Sequence, residues 1–129
     1  MKPHLLKCDE KMFYKYLDKC NIYFEYGSGG STYQASVRKN IKHIYTVESD
    51  IIWQNKVKNT IKNSNITYLF NEMDTGSNKW GYPGKKATDL QKKNYSNKIK
   101  ELSTSEQDSI DFILIDGRFR VACCLKCHN

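Results

Sequence analysis

The sequence predicts an α/β fold, a mainly parallel sheet of about four strands with helices on both faces. Three observations predict it. Strand-like and helix-like segments alternate along the chain, which is the pattern of successive βαβ units. The strand segments are too apolar for one wet face; Phe112-Ile113-Leu114-Ile115 is an uninterrupted apolar run of the kind covered on both sides. The stretch Gly27-Ser28-Gly29-Gly30-Ser31 falls directly after a strand and directly before a helix.

Taken in order, Asp9 opens a helix to about Lys19, with Met12, Phe13, Tyr16, Leu17 and Cys20 at three- and four-residue spacing. Ile22-Tyr23-Phe24-Glu25-Tyr26 reads as a strand, rich in residues that fit a pleated surface. A helix follows from Ser31 or Thr32 to Lys39. Ile44-Tyr45-Thr46-Val47 forms a second strand ending at Glu48. Asp50 caps the next helix, whose face is Trp53, Val57, Thr60 and Ile61. Ile66 to Phe70 is a third strand. Residues 71–89 form a long polar insertion, with Gly76, Gly81, Pro83 and Gly84; a connection of that length is usually functional or disordered. Tyr95, Ile99 and Leu102 mark a further helix. Asp116-Gly117 ends the fourth strand, and Phe119 to Cys127 forms a short apolar helix.

A chain of 129 residues bounds the molecule to one domain, residues 1–129. The hydrophobic fraction of 39% supports a modest core, and 27% charged residues is ordinary for a folded protein. No apolar run is long enough for a membrane helix, and Met1-Lys2-Pro3-His4 is followed by too few apolar residues for a signal peptide. A cytoplasmic location without membrane association is the resulting expectation. The net charge of +7 admits a nucleic-acid partner. The lysines are scattered among Asn and Ser, however, which favours a solvated basic surface.

The five cysteines are Cys8, Cys20, Cys123, Cys124 and Cys127. Cys124-x-x-Cys127-His128 spells a metal or haem pattern, but Cys8 and Cys20 do not form the second ligand pair a structural zinc site needs. Core packing is expected of them, and no metal site is assigned.

In a parallel sheet of this kind, ligands bind beyond the carboxyl ends of the strands. The residues there are Glu25 to Gly30, Glu48, the Asn71–Asp74 segment and Asp116. Gly27 and Gly29 allow positive φ and close approach of a ligand to the backbone. Glu48, about twenty residues on, stands where a carboxylate accepts ribose hydroxyls. This geometry serves both NAD and S-adenosylmethionine. The dinucleotide fingerprint requires a third glycine where this chain has Thr32, and Glu25 opposes a pyrophosphate while suiting an ammonium and a sulfonium. Opposite charges a few ångströms apart gain roughly 1–4 kcal/mol, which tips the balance toward S-adenosylmethionine. The bland alternatives are a strand-end Glu25 paired with a lysine and a Glu48 that only caps a helix.

Phe24-Glu25-Tyr26-Gly27-Ser28-Gly29-Gly30-Ser31-Thr32 resembles motif I of the class I S-adenosylmethionine-dependent methyltransferases, which have a Rossmann-like three-layer α/β/α fold. Tyr45 to Asp50 resembles their motif II strand with its terminal acid. Ile113-Leu114-Ile115-Asp116-Gly117-Arg118-Phe119-Arg120 is similar to the motif IV strand of a poorly characterised methyltransferase-like group. Thr75-Gly76 and Trp80-Gly81-Tyr82-Pro83 resemble a loop of that group. The resemblance implies that Glu25, Gly27, Ser28, Gly29 and Gly30 meet the methionine part of S-adenosylmethionine. It places Glu48 on the ribose and Asp116 beside the amino group or the acceptor, where Asp116 is also the nearest candidate base. The adenine contact falls among Asn71, Glu72 and Asp74.

Arg118 and Arg120, in the first turn of a helix, oppose its dipole by roughly 0.3–1 kcal/mol each. Asp116, Asp111 or an anionic substrate must compensate, so both arginines are candidates for structural pairing or substrate recognition. Trp80 either covers a bound ring or anchors its loop. The implied activity is methyl transfer to an unknown acceptor. The family fold continues with a fifth strand and a hairpin that this chain lacks, which leaves a sheet edge, Val121, Cys124 and Leu125 open to self-association. A catalytically inactive or truncated cofactor-fold binding protein is therefore the alternative, and a NAD-dependent oxidoreductase a more distant one.

Overall fold

The computed structural model describes residues 1–76 and 82–128. Four strands make the sheet: β1 (Ile22–Tyr26), β2 (His43–Glu48), β3 (Ile66–Phe70) and β4 (Phe112–Ile115), in the spatial order β3-β2-β1-β4 with every pair parallel. The arrangement is Rossmann-like. Chain direction across the sheet reverses between β1 and β4, so the crevice of the fold opens at their carboxyl ends.

Helices α1 (Lys7–Leu17), α2 (Gly30–Ser36) and α3 (Ile51–Thr60) precede the 71–88 segment, whose described residues form neither helix nor strand. After it come α4 (Asp89–Ser96), a 3₁₀ turn (Asn97–Glu101), α5 (Thr104–Ser109) and α6 (Arg120–Cys127). The two faces of the sheet build two apolar layers. On one, Phe24, Tyr26, Tyr45 and Val47 pack with Tyr95, Ile99, Leu102 and Cys123. On the other, Tyr23 and Ile44 pack with Phe13, Leu17, Cys20, Ala35 and Ile41. β1 and β2 are each paired on both edges, and Tyr23 to Tyr26 of β1 are all buried.

Several boundaries differ from the sequence expectation for local reasons. α1 begins at Lys7 and stops at Leu17, because the Asn40 side chain donates to the carbonyls of Leu17 (3.0 Å) and Cys20 (2.7 Å) and closes the helix end. Met12 and Tyr16 are about half exposed and do not join the core. α2 ends at Ser36, three residues short of Lys39. The helix expected around Tyr95, Ile99 and Leu102 tightens into a 3₁₀ turn after Ser96. α5 was not anticipated; Ser103 caps it, accepting from the Glu106 N–H while the Glu106 carboxylate accepts from the Ser103 N–H.

The apolar run of β4 is half-buried throughout, since β4 lies at the sheet edge among the described residues. Of the cysteines expected in the core, only Cys20 and Cys123 are buried; Cys8 and Cys124 are exposed and Cys127 lies between. No helix among the described residues is long and apolar enough to cross a membrane.

Candidate functional site

A cleft of about 530 Å³ lies at the carboxyl ends of β1, β2 and β4. The turn after β1 forms its floor. Gly27 takes φ +94°, and a Cβ there would stand 3.0 Å from the Gly117 backbone. The turns after β1 and β4 therefore touch, and only glycine permits it. Gly117 is in turn pressed against the Tyr95 hydroxyl, which also accepts from the Arg118 N–H at 3.4 Å.

The first three amides of the turn are engaged inside the protein. The Gly27 N–H donates to the Val47 carbonyl (2.9 Å), the Ser28 N–H to Glu48 Oε2 (3.2 Å), and the Gly29 N–H to Thr32 Oγ1 (2.9 Å). A glycine loop that cradles phosphate aims such amides at the ligand. This turn does not.

Glu48 ends β2 and lines the cleft, only 8% exposed. Its Oε1 accepts from the Ser49 N–H (2.9 Å) and the Asp50 N–H (3.1 Å). Its Oε2 accepts from the Ser28 N–H and, at 2.9 Å, from the Ser28 hydroxyl. Burial raises the Glu48 carboxyl above the ordinary range, against the pull of these four donors. A carboxylate offers about four acceptor sites, so a ligand hydroxyl reaching Oε2 must displace a donor already there, of which the Ser28 hydroxyl is the one on a rotatable side chain. Asp50 also accepts from the Trp53 N–H at 3.1 Å, so β2's end holds a cap and a separate ligand-facing acid.

Glu25 sits elsewhere. It is fully buried beneath the turn and does not line the cleft. Its carboxyl accepts from the Thr32 hydroxyl (2.6 Å to Oε1) and the Ser31 hydroxyl (3.0 Å to Oε2). Among the described residues no lysine pairs with it. Burial pushes its carboxyl up to about 8, with Glu48 and Asp116 adding to the rise, so near neutral pH it is held mostly uncharged. Glu25 therefore brings little charge to the cleft near neutral pH, and the strand-end carboxyls that line it are those of Glu48 and Asp116.

Asp116 lines the cleft from the end of β4 and pairs with Arg120 at 3.0 Å. Burial raises its carboxyl, while Arg120, Arg118 and His4 draw it down. Arg120 opens α6 and faces away from this cleft; Asp116 is the compensating partner its position required. Asp111 is engaged differently, accepting from Cys20 Sγ and from the Asn21 and Ile22 amides. Arg118 lies before the helix, lines the cleft and stacks over the Tyr82 ring at 3.7 Å. Gly27, Ser28, Gly29, Gly30, Glu48, Asp116 and Arg118 thus come together. Trp80 lies outside the described residues.

The candidates for an adenine contact do not reach the cleft. Asn71 is buried, its side chain donating to the Gln91 carbonyl and its amide to the Glu48 carbonyl. The Asp74 carboxylate holds its own loop through the Gly76 and Lys86 amides, and Glu72 is exposed outside the cleft. The wall on that side comes from α3 instead. Trp53, 37% exposed, donates from Nε1 to the Ser28 carbonyl (2.8 Å) and covers Gly29, and Lys56 stands one turn along. Sequence spacing had turned Trp53 inward, but Gln54 takes the buried place. Pro3 and His4 were also missed. The N-terminal segment folds over α2, with the Lys2 carbonyl against Gly30 and the Met1 carbonyl accepting from Gln34 (2.6 Å), and no local pattern foretells it. Among the described residues no group of three or more His, Cys, Asp or Glu is placed to hold a metal.

No protein-family model matches this chain, and no curated protein sequence does. Among solved structures, it is similar to a methyltransferase-like protein from Silicibacter pomeroyi DSS-3, with a TM-score of 0.80 and 25% identity. The match covers 98% of this chain and 66% of that one, so the chain spans just under two thirds of the neighbour's length. The fold is methyltransferase-like.

Proposed function

We propose that the cleft binds S-adenosylmethionine and that the protein transfers its methyl group to an acceptor whose identity is open. One observation carries the proposal: the carboxylates of Glu48 and Asp116 face a glycine turn whose Gly27, Ser28 and Gly29 amides are engaged within the protein. Such a cleft suits a cationic adenosyl ligand, and the first three amides of its turn are not free to cradle a pyrophosphate. The likeness to a methyltransferase-like protein supports the same choice.

When bound, the cofactor supplies a sulfonium-activated methyl group. The chain's own residues bind and align. Glu48 accepts the ribose hydroxyls once the Ser28 side chain swings aside. The Gly27–Gly30 turn lies under the methionine portion, with Asp116 beside its ammonium. Trp53 offers an indole face to the adenine. Asp116, raised by burial and steadied by Arg120, is the candidate to take a proton from the acceptor, and Arg118 stands on the acceptor side.

Calorimetric titration tests the proposal. S-adenosylmethionine and S-adenosylhomocysteine are expected to bind, NAD is not, and Glu48→Ala is expected to weaken binding about 10- to 100-fold through loss of a charged hydrogen bond. Saturable NAD binding with none for the adenosyl ligands overturns it. Binding without turnover across a panel of acceptors favours a cofactor-binding protein without activity.

A further inference from the structure

Thr32 occupies the place where a dinucleotide loop carries its third glycine. It is fully buried, and its hydroxyl is committed in two directions. As acceptor it takes the Gly29 N–H at 2.9 Å; as donor it gives its proton to Glu25 Oε1 at 2.6 Å. Ser31 adds a parallel strut, donating to Glu25 Oε2 at 3.0 Å. Gly29 itself stands at φ +151°, a conformation that L side chains rarely adopt, with the Trp53 ring directly over it.

A short turn at such a φ has few ways to satisfy its amide, and a buried unsatisfied N–H is unfavourable. The Thr32 hydroxyl supplies the partner, and Glu25 fixes that hydroxyl's rotor so that its lone pair faces Gly29. Glu25 is fully buried in β1, with Thr46 and Leu114 as its neighbours on the two flanking strands. The chain of contacts therefore ties the turn to the centre of the sheet.

We infer that Thr32, oriented by Glu25, is a positioning residue that locks the Gly27–Gly30 turn with its Gly29 amide turned away from the cleft. The inference rests on the S-adenosylmethionine assignment above, and gives Glu25 a part that involves no contact with the ligand. An acid beneath the turn then serves as an anchor for hydroxyls and need not carry charge.

The test uses Thr32→Val, which keeps the shape and removes the hydroxyl, with Thr32→Ser and Glu25→Gln as conservative variants that keep the bonds. Two quantities are read: hydrogen exchange of the Gly29 amide by NMR, and affinity for S-adenosylhomocysteine. In the wild type the Gly29 amide is expected to be protected. Thr32→Val is expected to lose that protection and about tenfold in affinity, whereas Thr32→Ser and Glu25→Gln stay within about threefold of wild type. Unchanged Gly29 protection or unchanged affinity in a folded Thr32→Val protein overturns the inference. If Thr32→Val does not fold, the wild-type amide decides, since exchange as fast as an open-loop amide overturns the lock and slow exchange supports it. Should the wild type bind no S-adenosylhomocysteine, the cofactor assignment falls, and Gly29 exchange alone decides for or against the lock.

Discussion

Replacing Glu25 by Gln tests the energetic state of the buried acid directly. In the folded protein burial holds this carboxyl at about 8, against an ordinary value of 4.5. The folded state therefore binds the proton more tightly than the unfolded chain. Between those two values it carries more protons, and stability falls as pH rises. The loss begins as pH passes 4.5 and levels off above 8.

Each pH step within the window corresponds to about 1.4 kcal/mol, so raising pH from about 5 to about 8 is expected to remove roughly 3–4 kcal/mol of Glu25's contribution. Against a typical domain stability of about 5–15 kcal/mol that is a large fraction. Glutamine keeps an acceptor for Thr32, offers a donor to the Ser31 hydroxyl, and cannot ionise. Glu48 and Asp116 also have raised carboxyls, and Tyr23 and Tyr68 sense the Glu25 charge, but all four remain in the variant. Subtracting the two proteins' urea-unfolding free energies at each pH isolates position 25. The variant should gain on the wild type steadily through this interval. Two parallel curves across it would refute the account.

Three further substitutions probe the cleft. Ser28→Ala removes the hydroxyl that occupies Glu48 Oε2, so S-adenosylhomocysteine affinity should hold or tighten by up to about threefold; a tenfold loss would place that hydroxyl on the ligand itself. Trp53→Ala should weaken binding by about tenfold or more while shifting the thermal midpoint little, because the indole is partly exposed and wall-forming; calorimetric affinity equal to wild type would move the adenine elsewhere. Gly27→Ala combines φ +94° with a 3.0 Å approach to Gly117 and should destabilise by about 1–3 kcal/mol in urea unfolding, with no effect counting against the tight turn.

β1 and β4 were legible because their apolar and aromatic runs end at glycine or acids, and β3 because its run lies between Asn65 and Asn71. β2's carboxyl end was fixed by Glu48. The glycine turn and Glu48 were legible for the same reason that they meet: both follow a strand on one rim of a parallel sheet. What the residues could not reveal was depth. Glu25 has the same spelling whether it faces a ligand or lies under a helix, and only packing decides. Helical spacing marked a stripe on α3 but could not tell whether Trp53 or Gln54 took the interior place. α5 is polar all round, so periodicity gave no sign of it, and the Ser103–Glu106 capping pair was its one local mark. The N-terminal fold-back over Gly30 is a long-range contact with no local signature.

The charge arrangement at the rim gives these pieces a common logic. A strand–turn–helix junction normally attracts anions, through free amides and the helix dipole together. Here the Gly27, Ser28 and Gly29 amides are engaged by Val47, Glu48 and Thr32, and the Lys2-Pro3 segment lies over the start of α2. A chain of net charge +7 nonetheless sets Glu48, Asp50 and Asp116 on one cleft. Two of these carboxyls are raised by burial, so a cation that compensates them recovers part of the desolvation penalty on binding. That recovery should appear as proton release when an adenosyl sulfonium binds in the pH range over which these raised carboxyls titrate. The homocysteine product, without the sulfonium charge, should release fewer protons. Calorimetry in buffers of different ionisation enthalpy measures the difference, and equal proton release by the two ligands would remove the electrostatic basis for preferring the cation.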